Sequence, residues 1–311
     1  MRFTSKCEMF FAVLENQYAL MYVKKTTLLP RPVFFVPRCV CPMTTATLDV
    51  LTLNTWGFAW PLAKHRAARF GRIAEHLQAE TYDVVALQEL WGGAREVLGE
   101  TGMEWALDDA QAERGLRQVD SGLGLKVRRG LHRGVEVMRD LVRAFRVHAG
   151  FDRWKSKGFV GLQVPAGDVS PVAIVNTHLQ AGQGAARVRR EQLEHVLASL
   201  SEVEIPTIIC GDFNLFTTSA EDRAGHDQLA RNGFRDASEL IDRPDATYLA
   251  RNMYVGGMED HRFDRIYLRD GVANGRRVRI HAEDVRVIVD HEAPLSDHEA
   301  VAARIRVEAC P

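Results

Sequence analysis

The chain predicts an α/β fold in which two β-sheets pack face to face with helices outside them. Three observations carry this expectation. Strand-like segments outnumber helical ones, in the order strand–helix–strand–strands–strand–helix–strand–helix–strands, which suits two packed sheets better than one doubly wound sheet. Strand-length segments such as Ile205 to Cys210 are almost wholly apolar, as strands buried on both faces are. No internal repeat or low-complexity linker divides the sequence, and 311 residues with 46% hydrophobic content can bury one large core. The expected division is an N-terminal extension over residues 1–45 and one folded domain over 46–308.

In order, Thr47 to Asn54 roughly alternates apolar and polar residues and predicts a first strand. His65 to Ala79 places Ala68, Phe70, Ile73 and Leu77 at helical spacing and predicts an amphipathic helix. Tyr82 to Leu90 reads as a second buried strand, with Gln88 and Glu89 at its end. Ser121 to Val127 and Gly158 to Val164 read as strands, and the arginine-rich stretch between them, roughly 126–157, has no single period. Pro171 to His178 predicts a strand. Gly184 to Leu200 predicts a helix with Arg187, Arg189, Arg190 and Glu191 on its wet side. After the strand that ends at Gly211, Ser219 to Asn232 predicts a helix stopped by Gly233. Phe263 to Leu268, Val278 to His281 and Val285 to Val289 read as short strands. A last strand follows Ser-Asp-His within Leu295 to Val307.

Ile205 to Leu215 (IPTIICGDFNL) is the segment around which the chemistry gathers. If the pleat continues, Asp212 and Asn214 project to one side and Phe213 turns into the core. An acid beside an amide at a strand end suits metal-water and phosphate chemistry, since the carboxylate accepts from water and the amide donates to an oxyanion. Four more strands end in, or run out of, polar residues: Asn54, Glu89, His178 and the Asp297–His298 pair. Each alone has an ordinary reading, as a turn residue, a capping acid, a core histidine or a turn acid. Their recurrence at strand ends predicts one site along a sheet edge.

LNTW, LQELW, NTHLQ, GDFN, FDRIY and LSDH, in this order, resemble the endonuclease/exonuclease/phosphatase superfamily. This is the metal-dependent phosphoesterase fold of deoxyribonuclease-I-like nucleases, inositol polyphosphate phosphatases and neutral sphingomyelinases. The resemblance spans about residues 48 to 307. NTHLQAG at 176–182, SGLGLKV at 121–127 and SKGFVGLQV at 156–164 are most similar to the neutral sphingomyelinase branch. It implies a four-layer α/β/β/α sandwich of two mixed β-sheets flanked by helices. It implies Mg2+, or Mn2+, held by Glu89 with Asn54 and with Asp297 at the metal edge; such a hard cation takes oxygen ligands. It further implies His298 as the base on the attacking water, oriented by Asp264. Asp212 orients or shares activation of that water, Asn214 holds a phosphoryl oxygen, and His178 donates to the phosphate. Which of His298 and Asp212 is the base stays open. The implied activity is hydrolysis of a phosphodiester by in-line water attack, on a lipid head group. A nuclease acting on DNA or RNA is the alternative, and a catalytically silent binding protein a further one.

Composition bounds the partners. A net charge of −1 gives no overall attraction to nucleic acid, so any polyanion site must be local. Five cysteines, with Cys39-x-Cys41 lacking a second pair, form neither a disulfide framework nor a zinc site, and a cytoplasmic setting is expected. No apolar run reaches 18 residues, so no transmembrane segment is expected. Residues 1–42 lack signal-peptide organisation, and the functional chain is expected to begin near Met43. The basic stretch with Phe151 and Trp154 reads as a solvated face or as a patch for peripheral membrane contact. Trp56, Phe58, Trp60 and Trp91 follow catalytic strand ends and either rim the site or pack in the core. A monomer is expected.

Overall fold

Two seven-stranded sheets, each built round a single parallel pair, form the centre of the structure, a computed structural model that describes residues 44–59, 61–108, 121–150 and 156–310. The first sheet contains β1 (Thr45–Asn54), β2 (Val84–Gln88), β3 (Met103–Asp108), β4 (Gly124–Arg128), β12 (Gly271–Ala273), β13 (Arg276–Ile288) and β14 (Ala300–Ala309). Their order is β12-β13-β14-β1-β2-β4-β3, with β1 and β2 parallel and the other neighbours antiparallel. The second contains β5 (Glu136–Val137), β6 (Arg143–Ala144), β7 (Gly158–Ala166), β8 (Ser170–His178), β9 (Thr207–Asp212), β10 (Arg235–Asp236) and β11 (Asp264–Arg269). Here the order is β10-β11-β9-β8-β7-β5, β6 also pairs with β7, and β8 and β9 are the parallel pair. Parallel neighbours need a crossover. Helix α1 (Arg66–Ala79) supplies it for β1 and β2, and α3 (Ala186–Ser199) for β8 and β9. The helices α2 (Ala94–Val97), α4 (Ala220–Arg231) and α5 (Ala237–Leu240) complete the described α-helices.

Strand alternation sorts the side chains into layers. Leu48 and Val50 of β1, Val84 and Ala86 of β2, and Leu125 of β4 face Leu162, Ile174, Ile208, Cys210 and Ile266 in one cluster between the sheets. The opposite parity of the first sheet, Leu51, Leu53, Val85 and Leu87, meets Phe70, Ile73 and Leu77 of α1. In the second sheet Val175, Ile209 and Tyr267 meet Leu193 and Val196 of α3 and Leu229 of α4. The result is the expected α/β/β/α sandwich of two mixed sheets. Following the inner parity to the strand ends reaches Asn54, Gln88, His178, Asp212 and Asp264, so the pattern that builds the core also aims the polar residues into the gap between the sheets.

Several expectations change. Val278–His281 and Val285–Val289 are one strand, β13, whose register shifts between Ala282 and Asp284. A bulge reverses parity, so Val278, Ile280 and Val285 all face inward and the sequence reads as two strands. Edge strand β3, in which Met103, Trp105 and Leu107 alternate with Glu104 and Asp108, is not among the strands expected from the sequence, and its register shifts between Trp105 and Leu107. Stretch 126–157 resolves into short 3-10 turns with β5 and β6 along β7, while Trp60, Phe151, Trp154 and residues 1–43 lie outside the described residues. No described helix is long and apolar enough to cross a membrane.

Arg189, expected on the wet side of its helix, is fully buried. Its Nε and Nη2 donate to the two carboxylate oxygens of Asp222 at 2.8 Å each, and Nη1 donates to the carbonyls of Gln180 and Gly182. Phe216 N–H also donates to Asp222. The pair thus ties the loop after β8 to the loop after β9. Breaking a buried pair strands one charge, whereas exposed pairs contribute little. Asp222→Asn is expected to lose about 3–5 kcal/mol in urea unfolding, while Arg187→Ala, which breaks the exposed Arg187–Glu191 pair, stays within about 0.5 kcal/mol.

His226 of α4 meets the Tyr267 hydroxyl at 2.6 Å, and burial, reinforced by Arg265, pushes its pKa down to about 3. The unfolded imidazole titrates near 6.5. The unfolded chain therefore binds the extra proton between those values, so this contribution to stability is present above about pH 6.5 and is lost as pH falls toward about 3. His226→Gln is expected to flatten the decline of Tm between about pH 6.5 and 4.

Candidate active site

Three neighbouring strands of the second sheet set their final inward residues side by side. The ladders pair His178 with Asp212 and Asp264 with Asp212. Gly211 makes this possible, because a Cβ there would lie 1.9 Å from the Thr177 carbonyl and its φ is +137°. The first sheet faces this row with Asn54 at the end of β1, Glu89 just past β2, and Asp297 and His298 just before β14.

Asp212 Oδ2 is the meeting point. Asn54 Nδ2 donates to it from the other sheet at 3.1 Å, His178 Nε2 lies at 3.3 Å and His298 Nε2 at 3.9 Å. Asn54 Oδ1 accepts from the Trp56 N–H at 3.0 Å, which fixes the direction of the carboxamide. His298 Nδ1 donates to Asp264 Oδ2 at 2.8 Å, and the ring packs against Tyr248 and Phe263. Burial alone would raise the Asp212 carboxyl, but the positive charges of His298 and Lys157 hold it below the usual carboxylate range. Burial alone would lower His298; Asp264 and Asp212 overcome it and hold the imidazole well above its ordinary value.

Glu89 is left differently. It is buried with a left-handed backbone (φ 57°), a conformation costing on the order of 1–3 kcal/mol that concentrates at functional sites. Its Oε1 lies 3.9 Å from His178 Nε2, and its Oε2 has no hydrogen-bond partner among the described residues. Burial, with Asp297 adding to it, pushes this carboxyl up to about 8. The Asp297 carboxyl is raised as well, by burial. A buried carboxylate oxygen without a donor, facing a second carboxylate, is what a divalent cation compensates, so Glu89 with Asp297 and Asn54 fits an oxygen-ligand site. Asp212, Asp264 and His298 also gather within 4.8 Å of one another. There the His298 ring and Thr247 already occupy Asp264 Oδ2, while Asp264 Oδ1, like Glu89 Oε2, has no hydrogen-bond partner among the described residues.

All eight predicted residues lie at this end of the sheets, with one change of orientation. The pleat does not continue past Asp212: Asn214 has φ 50°, its N–H donates to Asp212 Oδ1, and its Nδ2 donates to the Leu179 carbonyl at 3.1 Å. Phe213 is in the outer core, as expected. Trp91 is buried and packs against the half-buried Phe58, while half-buried Trp56 packs on Tyr254.

Three residues escape the sequence reading. Lys157, 1% exposed, brings Nζ to 2.7 Å from His178 Nε2 and donates to the Leu179 carbonyl. An ammonium cannot accept, so this contact makes Nε2 the acceptor. Thr247 Oγ1 donates to Asp264 Oδ2 and accepts from the N–H groups of Phe263 and Asp264. Arg69, fully buried in α1, donates to the carbonyls of Thr55 and Trp56 and so holds the turn that orients Asn54.

Among solved structures, D. rerio TDP2 complexed with single strand DNA product is similar over 83% of this chain and 98% of its own, at 20% identity and a TM-score of 0.61. Beta toxin of Staphylococcus aureus, in a mutant form with bound magnesium ions, is similar over 82% and 98% at 16% identity and a TM-score of 0.60. An endonuclease/exonuclease/phosphatase from Beutenbergia cavernae DSM 12333 covers 84% and 72% at 20% identity and a TM-score of 0.57. No curated protein matches the chain in sequence. These likenesses establish the fold alone. The sequence profile of the Endonuclease/Exonuclease/phosphatase family, however, matches residues 51–298, from β1 through His298, and the chain belongs to that family.

Proposed function

We propose that this chain is a divalent-metal-dependent phosphodiesterase that hydrolyses its substrate by in-line attack of water, with a lipid head-group phosphodiester as substrate. The observation that carries the reaction is the division of the site. A carboxylate with an unpartnered oxygen, Glu89, stands on one side of Asp212, and a histidine backed by a carboxylate, His298 with Asp264, stands on the other. Mg2+, or Mn2+, would be held by Glu89, Asn54 and Asp297 and supplies charge neutralisation at the phosphoryl group.

The protein groups do the rest. In its neutral form His298 takes the proton of the attacking water at Nε2, and Asp264, which holds Nδ1, stabilises the cation that forms. Thr247 fixes Asp264 in turn. Asp212, accepting at Oδ2, orients the water. Lys157, held by the His178 Nε2 that accepts from it, supplies the positive charge toward which phosphoryl oxygens turn as negative charge grows, and Asn214 supplies a further amide donor. The lipid reading is supported by Lys157, since the segment that resembles neutral sphingomyelinases delivers it to the site. The D. rerio TDP2 structure that holds a single strand DNA product supports a second reading, a nuclease on the same scaffold.

Glu89→Gln, which keeps the shape and removes the charge, is expected to abolish Mg2+ binding in calorimetry. Turnover of bis(p-nitrophenyl) phosphate should fall by at least about 100-fold. His298→Ala should cost about 10²–10⁴-fold in kcat without loss of Mg2+ binding. An E89Q protein that binds Mg2+ normally would remove Glu89 from the metal site. EDTA should silence the wild type on every substrate.

Sphingomyelin vesicles and supercoiled plasmid separate the two substrates. Magnesium-dependent release of phosphocholine without nicking is the expected result. Nicking that weakens steeply with salt, without phosphocholine release, would transfer the protein to the nuclease reading.

A further inference from the structure

The two halves of the site belong to different sheets, so the gap between the sheets is itself a catalytic dimension. Asn54, Glu89 and His298 come with the first sheet, and His178, Asp212 and Asp264 with the second. Below them the gap is filled mostly by aliphatic side chains, and three polar residues break this layer: Thr52, Gln88 and Asn176, all fully buried.

Asn176 lies on β8, two residues before His178 and on the same inward face. Each of its side-chain hydrogen bonds crosses to the first sheet. Nδ2 donates to the Leu87 carbonyl at 2.8 Å and the Gly124 carbonyl at 3.0 Å, and Oδ1 accepts from Gln88 Nε2 at 2.7 Å. Leu87 and Gly124 form the last rung of the β2–β4 ladder. Beyond that rung the chain leaves the sheet and Glu89 takes its left-handed conformation. Asn176 therefore grips the two residues directly ahead of Glu89 and fixes them against the strand that carries His178. Gln88 Nε2 adds a bond to Thr52 on β1.

Stability alone does not call for this bridge. Gln88 Oε1 has no hydrogen-bond partner among the described residues, and an apolar pair of similar shape avoids that desolvation cost. What amides provide here and aliphatic groups do not is a directional, fixed spacing.

We propose that Asn176, acting with Gln88, is a positioning residue that sets the distance between the metal-side carboxylate Glu89 and the His178–Asp212 side of the site. This rests on the phosphodiesterase reading, and the test separates the two. Asn176→Leu is compared with Val164→Ala, which opens the same inter-sheet layer at the opposite end of β7. Tm, Mg2+ affinity by calorimetry, and kcat and KM on bis(p-nitrophenyl) phosphate are measured for both. Asn176→Leu is expected to weaken Mg2+ binding by about 10–100-fold, as loss of groups that orient ligands does. It should lower kcat by up to about 100-fold, the effect of a 1 Å misplacement, with KM changed less than about threefold. Val164→Ala should lower Tm but retain wild-type Mg2+ affinity and kcat.

An Asn176→Leu protein that behaves as Val164→Ala does overturns the proposal. Should Asn176→Leu fail to fold, Gln88→Leu, which leaves the two carbonyl bonds in place, decides: weakened Mg2+ binding supports the role and wild-type binding overturns it. A wild-type protein that neither binds Mg2+ nor hydrolyses the phosphodiester overturns the phosphodiesterase reading, and the positioning role with it.

Discussion

A carboxylate that is 1% exposed keeps its charge only where donors and positive groups surround it, and Asp212 is placed under that constraint. Its surroundings come from every part of the fold. Asn54 crosses from the other sheet, His178 stands on the adjoining parallel strand, His298 arrives ahead of the last strand, and the N–H of Asn214 folds back onto Oδ1. Remove the parallel pairing of β8 and β9 and His178 leaves Asp212. Displace the first sheet and Asn54 goes with it. The site is thus a consequence of how the sheets are registered, and each register is held by a large apolar layer that tolerates no one-residue slip.

This explains which residues are legible in the sequence. Alternation along a strand is a short-range signal, and a polar residue that ends an apolar run is anomalous where it stands. Asn54, Glu89, His178 and Asp212 are visible for that reason, and the same alternation accounts for the two sheets and their flanking helices. Gly211 is visible too, since only a residue without a Cβ lets β9 approach Thr177 as it does. The pleat misleads one step later, because nothing local announces that Asn214 turns to φ 50°.

What stays hidden depends on partners far along the chain. Arg189 has the spacing of an exposed helical arginine, and only Asp222, 33 residues on, makes it a buried one. Arg69 lies among helix residues whose pattern says nothing of the carbonyls of Thr55 and Trp56. Lys157 stands at the start of a strand, an ordinary place for lysine, until β8 sets His178 beside it. Thr247 lies in a segment without period and matters only because Asp264 does. The bulge in β13 hides by a different route, since one extra residue reverses the parity on which strand reading relies.

The supporting contacts also divide the molecule into a part that fixes chemistry and a part free to change. Segment 247–261 is bonded at its root: Thr247 holds Asp264, and Asn252 donates to Glu299 and to the Ser296 carbonyl. Further along, Tyr254 packs on Trp56 and accepts from Arg72, whereas Met253 and Met258 are exposed. Substitution at such exposed positions leaves the bonds of Asp264 and His298 untouched. The polar residues thus sit on rigid sheet ends, while the loops around them are the part of such a fold that is free to vary. D. rerio TDP2, complexed with single strand DNA product, shares the fold, but a fold does not fix what is bound, and differences between such proteins have to be sought in the loops.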